Sequence, residues 1–184
     1  MSWQMVSLAA TQPQPWRNGG GATRELLAWP TASEWRVRLS VAEVASPGPF
    51  SRFEGLERWF AVLEGAGVVL RIEGHEQRLT RASEAFRFDG GAAVHCELPG
   101  GATRDFNLMA APGHARMRRL RNELAVSTDA PALLALYAHS APARMVLGGQ
   151  AVSVPAFHLA WRLQDAPADG HVMAEDALWM EVAR

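Results

Sequence analysis

Hydrophobic and polar residues alternate along much of this chain with the two-residue period of a half-buried β-strand. In the run from 37 to 44, three apolar residues at odd positions fall on one face, and the other face carries Arg38 and Ser40. Further apolar runs, separated by glycine-rich turn signals, occupy 60–63, 68–72, 86–88 and 94–98. Short strands divided by turns every eight to twelve residues or so predict an all-β sandwich or barrel.

The pattern is less decisive towards the C-terminus. The segment 116–125 is rich in Arg and Leu but has no helical period, so a short helix and an extended strand both remain open. The Ala- and Leu-rich run 131–138 fits a helical turn or a buried strand equally well. Residues 62–68 and 146–152 each place a strand on either side of a glycine turn, either by chance or as an internal repeat.

A repeat would give two barrel halves of the same topology. We therefore expect residues 1–115 to form an N-terminal barrel that carries a polar pocket. Residues 116–184 would complete a second, structural barrel, tightly fused to the first or part of one domain with it. The length of 184 residues and the hydrophobic content of 48% are sufficient for either arrangement.

Charge and composition exclude several classes of protein. The net charge of −1 forces no basic face, so nucleic acid is not an expected partner. The single cysteine, Cys96, excludes a disulfide within the chain and fits a reducing compartment. The N-terminus has no signal-peptide pattern, and no apolar run reaches the roughly 18 residues of a membrane helix. We expect a soluble cytoplasmic protein that has no membrane partner.

Three segments contain more polar residues than a scaffold needs. The first, 15–26, has three consecutive glycines beside an arginine, which fits a phosphate cradle or a flexible entry to a strand, but neither a P-loop nor a dinucleotide fingerprint. The second combines Arg38 and Ser40 with the stretch 50–58. In the third, 105–109, alternation places Asp, Asn and Met on one face.

The arginines of the second segment are the most informative residues. If Arg38 faces the interior of a barrel, it needs a carboxylate from the protein or from a ligand. A guanidinium presents a rigid bidentate fork that suits a carboxylate. The alternative for Arg38 and Arg58 is an internal salt bridge to an acidic residue, the candidates being Glu25, Glu43, Glu57 and Asp105.

The six histidines suggest no site by their spacing, because neither an H-x-H nor an H-E-x-x-H pattern occurs. His95 and Cys96 are neighbours and point to opposite strand faces, which argues against a nucleophilic pair. No G-x-S-x-G elbow is present. The sequence therefore predicts no metal ligands, no cofactor and no catalytic residue.

Residues 59–65, Trp-Phe-Ala-Val-Leu-Glu-Gly, resemble the strand and turn that lead out of the metal-binding box of a cupin barrel. A metal-dependent cupin would have a His-x-His pair near the start of the box and a Glu close to position 58. This chain has Phe50, Ser51 and Phe53 near the start, and Arg58 in place of the Glu. The resemblance implies a cupin barrel that has lost its metal site and carries a cation on a side chain.

The polar segments, taken in order, resemble the HutD/Ves family over roughly residues 10–115. The matching motifs are P-W-R-N-G-G-G-x-T-R-E at 15–25, R-x-S-x-A at 38–42, F-S-x-F-x-G-x-x-R at 50–58, F-x-F at 86–88 and D-F-N-x-M at 105–109. The resemblance implies a cupin fold of the bicupin type. For the HutD branch it implies a link to histidine utilisation, through binding of an intermediate such as urocanate or formylglutamate. The Ves branch is associated with cold and stress response.

The resemblance also implies a pocket. Its ligand-binding residues would be Asn18, Thr23, Arg24, Arg38, Ser40, Ser51, Arg58 and Asn107. Trp16 and Phe53 would supply an apolar wall. Glu25 and Asp105 would be partners of the arginines and would not contact the ligand directly. The function expected is non-enzymatic binding of a small carboxylate metabolite, through which the protein would regulate histidine utilisation. The alternatives are a protein-interaction or stress-related module and a metal-independent enzyme with Glu25 or Asp105 as base. A homodimer paired through edge strands is also open.

Overall fold

The structure is a computed structural model that describes residues 2–129 and 131–184. All of the helical or extended elements identified in these residues are β-strands. The strands are β1 (Gln4–Ser7), β2 (Gln14–Pro15), β3 (Gly21–Trp29), β4 (Val37–Val44), β5 (Gly48–Pro49), β6 (Glu57–Glu64), β7 (Val68–Ile72), β8 (His75–Leu79), β9 (Phe86–Asp89), β10 (Val94–Glu97), β11 (Thr103–Ala110), β12 (Ala115–Leu120), β13 (Glu123–Thr128), β14 (Ala132–Ala138), β15 (Ala143–Leu147), β16 (Gln150–Val154), β17 (His158–Gln164), β18 (Ala168–Met173) and β19 (Ala177–Ala183). Within the described residues, no helix is long and apolar enough to cross a membrane.

The N-terminal unit comprises Gln12–Gly113. Its larger sheet has the strand order β2-β3-β4-β11-β6-β9, and its smaller sheet has the order β5-β10-β7-β8. Side chains from both sheets form one apolar core, which includes Phe60 and Val62 from the larger sheet and Leu70, Val94 and Cys96 from the smaller. All strand pairs are antiparallel, so the unit is an antiparallel barrel of two sheets closed over a common core.

The C-terminal unit comprises His114–Arg184 together with the residues that precede Gln12. Its sheets have the orders β1-β17-β14-β19-β12 and β13-β18-β15-β16. Leu134 and Trp179 of the larger sheet pack in one cluster with Met145 and Val172 of the smaller. The unit is therefore a second barrel with its own core.

The two units share one strand order. The run β4-β11-β6-β9 corresponds to β12-β19-β14-β17, and β5-β10-β7-β8 corresponds to β13-β18-β15-β16. The similarity between 62–68 and 146–152, however, joins turns that are not equivalent. β6 and β7 lie in different sheets, whereas β15 and β16 form a hairpin, whose counterpart is β7 and β8. The repeat is therefore one of topology. The sequence similarity instead aligns β6 with β15, whose topological counterpart is β7, the next strand along the chain.

The ambiguous C-terminal segments are strands. The segment 116–125 lies in β12 and β13, which are separated by a turn at 121–122, and 132–138 is β14. Every residue of β14 is buried, so both strand faces are apolar and no alternation is visible in the sequence. The boundary between the units falls two residues before the expected one. Residues 4–7 pair with β17 in the C-terminal unit and not with the N-terminal barrel.

Candidate anion-binding site

A cavity of about 740 Å³ opens within the N-terminal unit, bounded mainly by the larger sheet and the segment 49–53. Seven of the predicted ligand-binding residues contribute polar groups to its wall, namely Asn18, Thr23, Arg38, Ser40, Ser51, Arg58 and Asn107. The apolar part of the wall includes Trp16, Phe50, Phe53, Phe60 and Met109. Phe50, Phe60 and Met109 were not predicted as wall residues, although Phe60 follows Arg58 at the two-residue spacing of one strand face.

Strand register brings these side chains to one face of the sheet. Ser40 on β4 pairs with Asn107 on β11, which pairs in turn with Phe60 on β6. One row further along, Arg38 pairs with Met109, and Met109 pairs with Arg58. Because residues directly opposite each other in an antiparallel pair project to the same side, both rows face the cavity.

Arg58 is the central polar group of the cavity and is only 6% exposed. Its Nη2 donates to Asn107 Oδ1 at 2.8 Å, and its Nη1 donates to the Ser51 carbonyl oxygen at 3.3 Å. Its Nε is buried and has no acceptor. Within the described chain, no carboxylate forms an ion pair with this guanidinium.

Aromatic rings surround the Arg58 guanidinium on several sides. Its Cζ lies 5.2 Å from the ring centroid of Phe50, 5.8 Å from that of Phe53 and 5.1 Å from that of Phe88. Ring faces carry partial negative charge and attract a cation at this range. The rings hold the guanidinium in place but, unlike a carboxylate, they do not neutralise its charge.

The charge of Arg58 persists at neutral pH. Burial, followed by the positive charge of Arg38, lowers the pKa of Arg58 from its usual value to about 10. The side chain therefore remains protonated well above pH 7. A buried charge without a counter-ion is costly, and an anion bound beside it would offset that cost.

Arg38 differs from Arg58 because it has an internal partner. Its Nε donates to Glu25 Oε2 at 2.7 Å, and both side chains are about one-fifth exposed, at 19% and 23%. Its Cζ also lies 5.7 Å from the ring centroid of Trp35. Glu25 thus supports an arginine. Exposed Arg17, which the sequence did not predict as a site residue, also lines the cavity, and Arg58 is the buried cation of the wall that has no carboxylate partner in the described residues.

Two predicted site residues lie elsewhere, and the sequence expectation is corrected for both. Arg24 does not line the cavity, because alternation along β3 sends Thr23 to the cavity and Arg24 to the opposite face, where its Nε lies 3.9 Å from Glu43 Oε1. Asp105 supports no arginine. It is completely buried, and its Oδ2 accepts a hydrogen bond from Thr103 Oγ1 at 2.7 Å. Burial raises its pKa to about 7.

The cavity does not suit a metal ion. Within residues 2–129 and 131–184, no three His, Cys, Asp or Glu side chains cluster closely enough to bind one. The polar groups that face the cavity are guanidinium, amide and hydroxyl groups, and a protonated Arg58 repels a divalent cation. The donor set thus fits an anion.

The HutD family model matches residues 8–180. The chain belongs to the HutD family. An uncharacterized 21.2 kDa protein in the hutC 3' region of Pseudomonas putida is 42% identical over 106 residues, which are 56% of either chain. Protein Ves of Escherichia fergusonii is 36% identical over 96 residues, covering 51% of this chain and 50% of that protein. The chain thus spans about half the length of the curated relatives it matches.

Solved structures agree with the family over nearly the whole chain. A conserved protein of unknown function from Pseudomonas aeruginosa PAO1 has a TM-score of 0.85 at 33% identity, covering 99% of this chain and 98% of that one. HutD from Pseudomonas fluorescens SBW25, in a formate condition, has a TM-score of 0.83 at 27% identity with the same coverage.

More distant structures show the fold alone. A cupin 2 conserved barrel domain protein from Leptotrichia buccalis has a TM-score of 0.57 at 9% identity, covering 98% of this chain and 96% of that one. Together with the strand order of the two units, this likeness confirms the predicted fold: an all-β protein of the cupin class with two barrels, a bicupin.

Proposed function

We propose that this protein is a non-enzymatic binder of a small carboxylate metabolite and that it regulates histidine utilisation by holding a pathway intermediate such as urocanate or formylglutamate. The observation that carries the proposal is Arg58, a protonated and buried guanidinium that faces a cavity and has no carboxylate partner in the described chain. A ligand carboxylate would supply that partner.

The rest of the cavity supports a ligand larger than the carboxylate itself. Its volume of about 740 Å³ lies within the range of small-molecule pockets. Trp16 and Phe53 offer flat apolar surfaces for a ring or a methylene chain, and Asn18 and Ser40 can bind an amide or imidazole nitrogen. The names of HutD and of the hutC-region relative favour an intermediate of histidine utilisation.

The carboxylates near the cavity favour binding over metal-free catalysis. Glu25 is held by Arg38 at 2.7 Å, and Asp105 is buried away from the cavity wall. Neither is placed to remove a proton from a ligand bound at Arg58, because a general base must reach its proton directly or through one water. The free charge of Arg58 also argues against a purely structural module, in which both arginines would be paired internally.

Ligand binding can be tested by a thermal-shift screen followed by calorimetric titration. The panel would hold histidine, urocanate, formylglutamate, glutamate, formate and inorganic phosphate. A ligand that binds only the folded state stabilises it by about 2.7 kcal/mol at a hundred times its Kd. We expect one carboxylate of this panel to raise the Tm in a concentration-dependent manner.

Two arginine variants make the test specific to the site. Arg58→Met keeps the aliphatic stem and removes the unpaired charge, and comparing its urea unfolding midpoint without ligand with that of the native protein separates a loss of binding from a loss of folding. Arg24→Met is the matched control, since Arg24 lies on the opposite face of the same sheet. Arg58→Met should lose binding and Arg24→Met should keep it. Equal affinity in Arg58→Met and the native protein, or no response to any carboxylate, would overturn the proposal.

A further inference from the structure

The C-terminal barrel contains a second buried arginine that has no carboxylate partner among the residues the structure describes. Arg162 on β17 is 6% exposed, and its Nη1 donates to Gln150 Oε1 on β16 at 2.9 Å. Its Cζ lies 4.8 Å from the ring centroid of Trp3. The Nε of Arg162 and the Nε1 of Trp3 are both buried donors without an acceptor. In the described residues, Arg162 therefore has an amide and an aromatic ring as neighbours, and no counter-ion.

Strand register places Arg162 on the interior face of this barrel. Ala160, two residues earlier on β17, belongs to the apolar core, and Arg162 projects to the same side. Directly opposite on β14 is Leu134, another core residue. The row continues to Glu181 on β19 and ends at Arg116 on β12.

The N-terminal barrel has a comparable row on the equivalent strands. There Phe88 on β9 pairs with Arg58 on β6, which pairs with Met109 on β11 and then with Arg38 on β4. By strand order, β17 corresponds to β9, and β14 corresponds to β6. Within the described residues, each barrel thus carries a buried arginine without a carboxylate partner on its larger sheet, on neighbouring strands of the shared order.

The charges in this row favour an anion. Glu181 is its one carboxylate, and it accepts a hydrogen bond from Trp179 Nε1 at 2.6 Å. Exposed Arg116 ends the row, and exposed Arg118 lies on the same face of β12 one row further along. Arginines outnumber carboxylates on this face, and the two buried donors of Arg162 and Trp3 lack an acceptor among the described residues.

We infer that the C-terminal barrel holds a second anion subsite, formed by Arg162 and Trp3 with Gln150 as neighbour, for a compact monovalent anion. A one- or two-carbon carboxylate suits it best, because the guanidinium fork matches the two oxygens and Trp3 covers the site too closely for a larger group. This subsite does not depend on the function proposed for the Arg58 cavity.

The test is a titration with sodium formate against sodium chloride at equal ionic strength, in protein that carries Arg58→Met so that the first site is disabled. We expect a saturable rise of the Tm with formate in this background. Adding Arg162→Met should abolish the rise. Adding Arg144→Met, which replaces an exposed arginine of β15, should leave it unchanged.

A second variant covers the case in which the Arg162 variant does not fold. Trp3→Phe keeps a ring over the guanidinium but removes the indole donor, and the loss of one hydrogen bond to a charged acceptor should weaken formate binding by about tenfold or more. A rise that persists in the Arg58→Met/Arg162→Met protein, or its absence from Arg58→Met, overturns the subsite. So does unchanged formate affinity in Trp3→Phe. Comparing the single with the double arginine variant isolates Arg162, whatever Arg58 does with a metabolite.

Discussion

Replacing Asp105 with Asn should change how stability depends on pH. Asp105 is completely buried on β11, and burial raises its pKa from 3.8 to about 7 despite the hydrogen bond from Thr103. Buried Cys96 lies near enough for the charge of Asp105 to raise the pKa of its thiol. The folded protein keeps the Asp105 proton over a range in which the unfolded chain has released it. The stabilisation is therefore fully present below about pH 4 and is lost as the pH rises through about 7.

The magnitude follows from the two pKa values. At about 1.4 kcal/mol per pH unit of separation, complete ionisation of Asp105 costs the folded state about 4 kcal/mol. Most of this loss occurs above pH 5, so the native protein should lose about 2.6 kcal/mol between pH 5 and pH 8 through this residue. The side-chain amide of the Asp105→Asn variant carries no charge at any pH, so the variant should lose nothing by this route.

The assay is urea denaturation of the native protein and Asp105→Asn at pH 5 and pH 8, with free energies extrapolated to zero denaturant. The difference in unfolding free energy between the two proteins should grow in favour of the variant by about 2–3 kcal/mol from pH 5 to pH 8. Contributions of the amide that do not depend on pH cancel in this comparison. Asp89→Asn, at an exposed position on β9, is the matched control and should show no growth. A difference for Asp105→Asn that is equal at both pH values would refute the reasoning.

Two further predictions concern Arg38 and Cys96. Arg38→Leu breaks a partly exposed ion pair with Glu25, which is worth up to about 1 kcal/mol. Calorimetry should therefore show a Tm only about 2–4 °C lower. A loss above about 10 °C would make Arg38 a structural residue. Burial, followed by the charges of Asp105 and Glu97, raises the pKa of the Cys96 thiol to about 12, so Ellman's reagent should label it only after unfolding. Stoichiometric labelling of the native protein at pH 8 would contradict this assignment.

Local patterns were sufficient to predict several strands of the N-terminal barrel. Val37–Val44 and Val68–Ile72 have the same bounds in the sequence pattern and in the structure, because each has an apolar run closed by turn residues. β14 could not be assigned, since a strand buried on both faces shows no alternation. The pairing of β1 with β17 was also out of reach, because it joins residues more than 150 positions apart and has no local signal.

The site was predictable where alternation and the motif agreed. Arg38, Ser40, Arg58 and Asn107 share the cavity wall because each lies at an inward position of its strand. Arg24 was misplaced, since its motif is dense in polar residues on both faces of β3, and the sequence does not say which face is inside. The pairing of Arg38 but not Arg58 with a carboxylate depends on cross-strand distances, which no spacing along the chain reveals.

Asn107, which lines the cavity, and Asp105, whose charge changes with pH, lie on the same strand but have separate roles. Asn107 faces the cavity and holds Arg58, whereas Asp105, two residues earlier on the same face of β11, is buried below it among apolar side chains. Burial lowers the pKa of the arginine only to about 10 and raises that of the aspartate to about 7. Between pH 5 and pH 8 the charge that would hold a carboxylate is therefore constant, while the charge that destabilises the barrel changes. The stability of this barrel can thus vary with pH while the cation proposed to recognise a ligand keeps its charge.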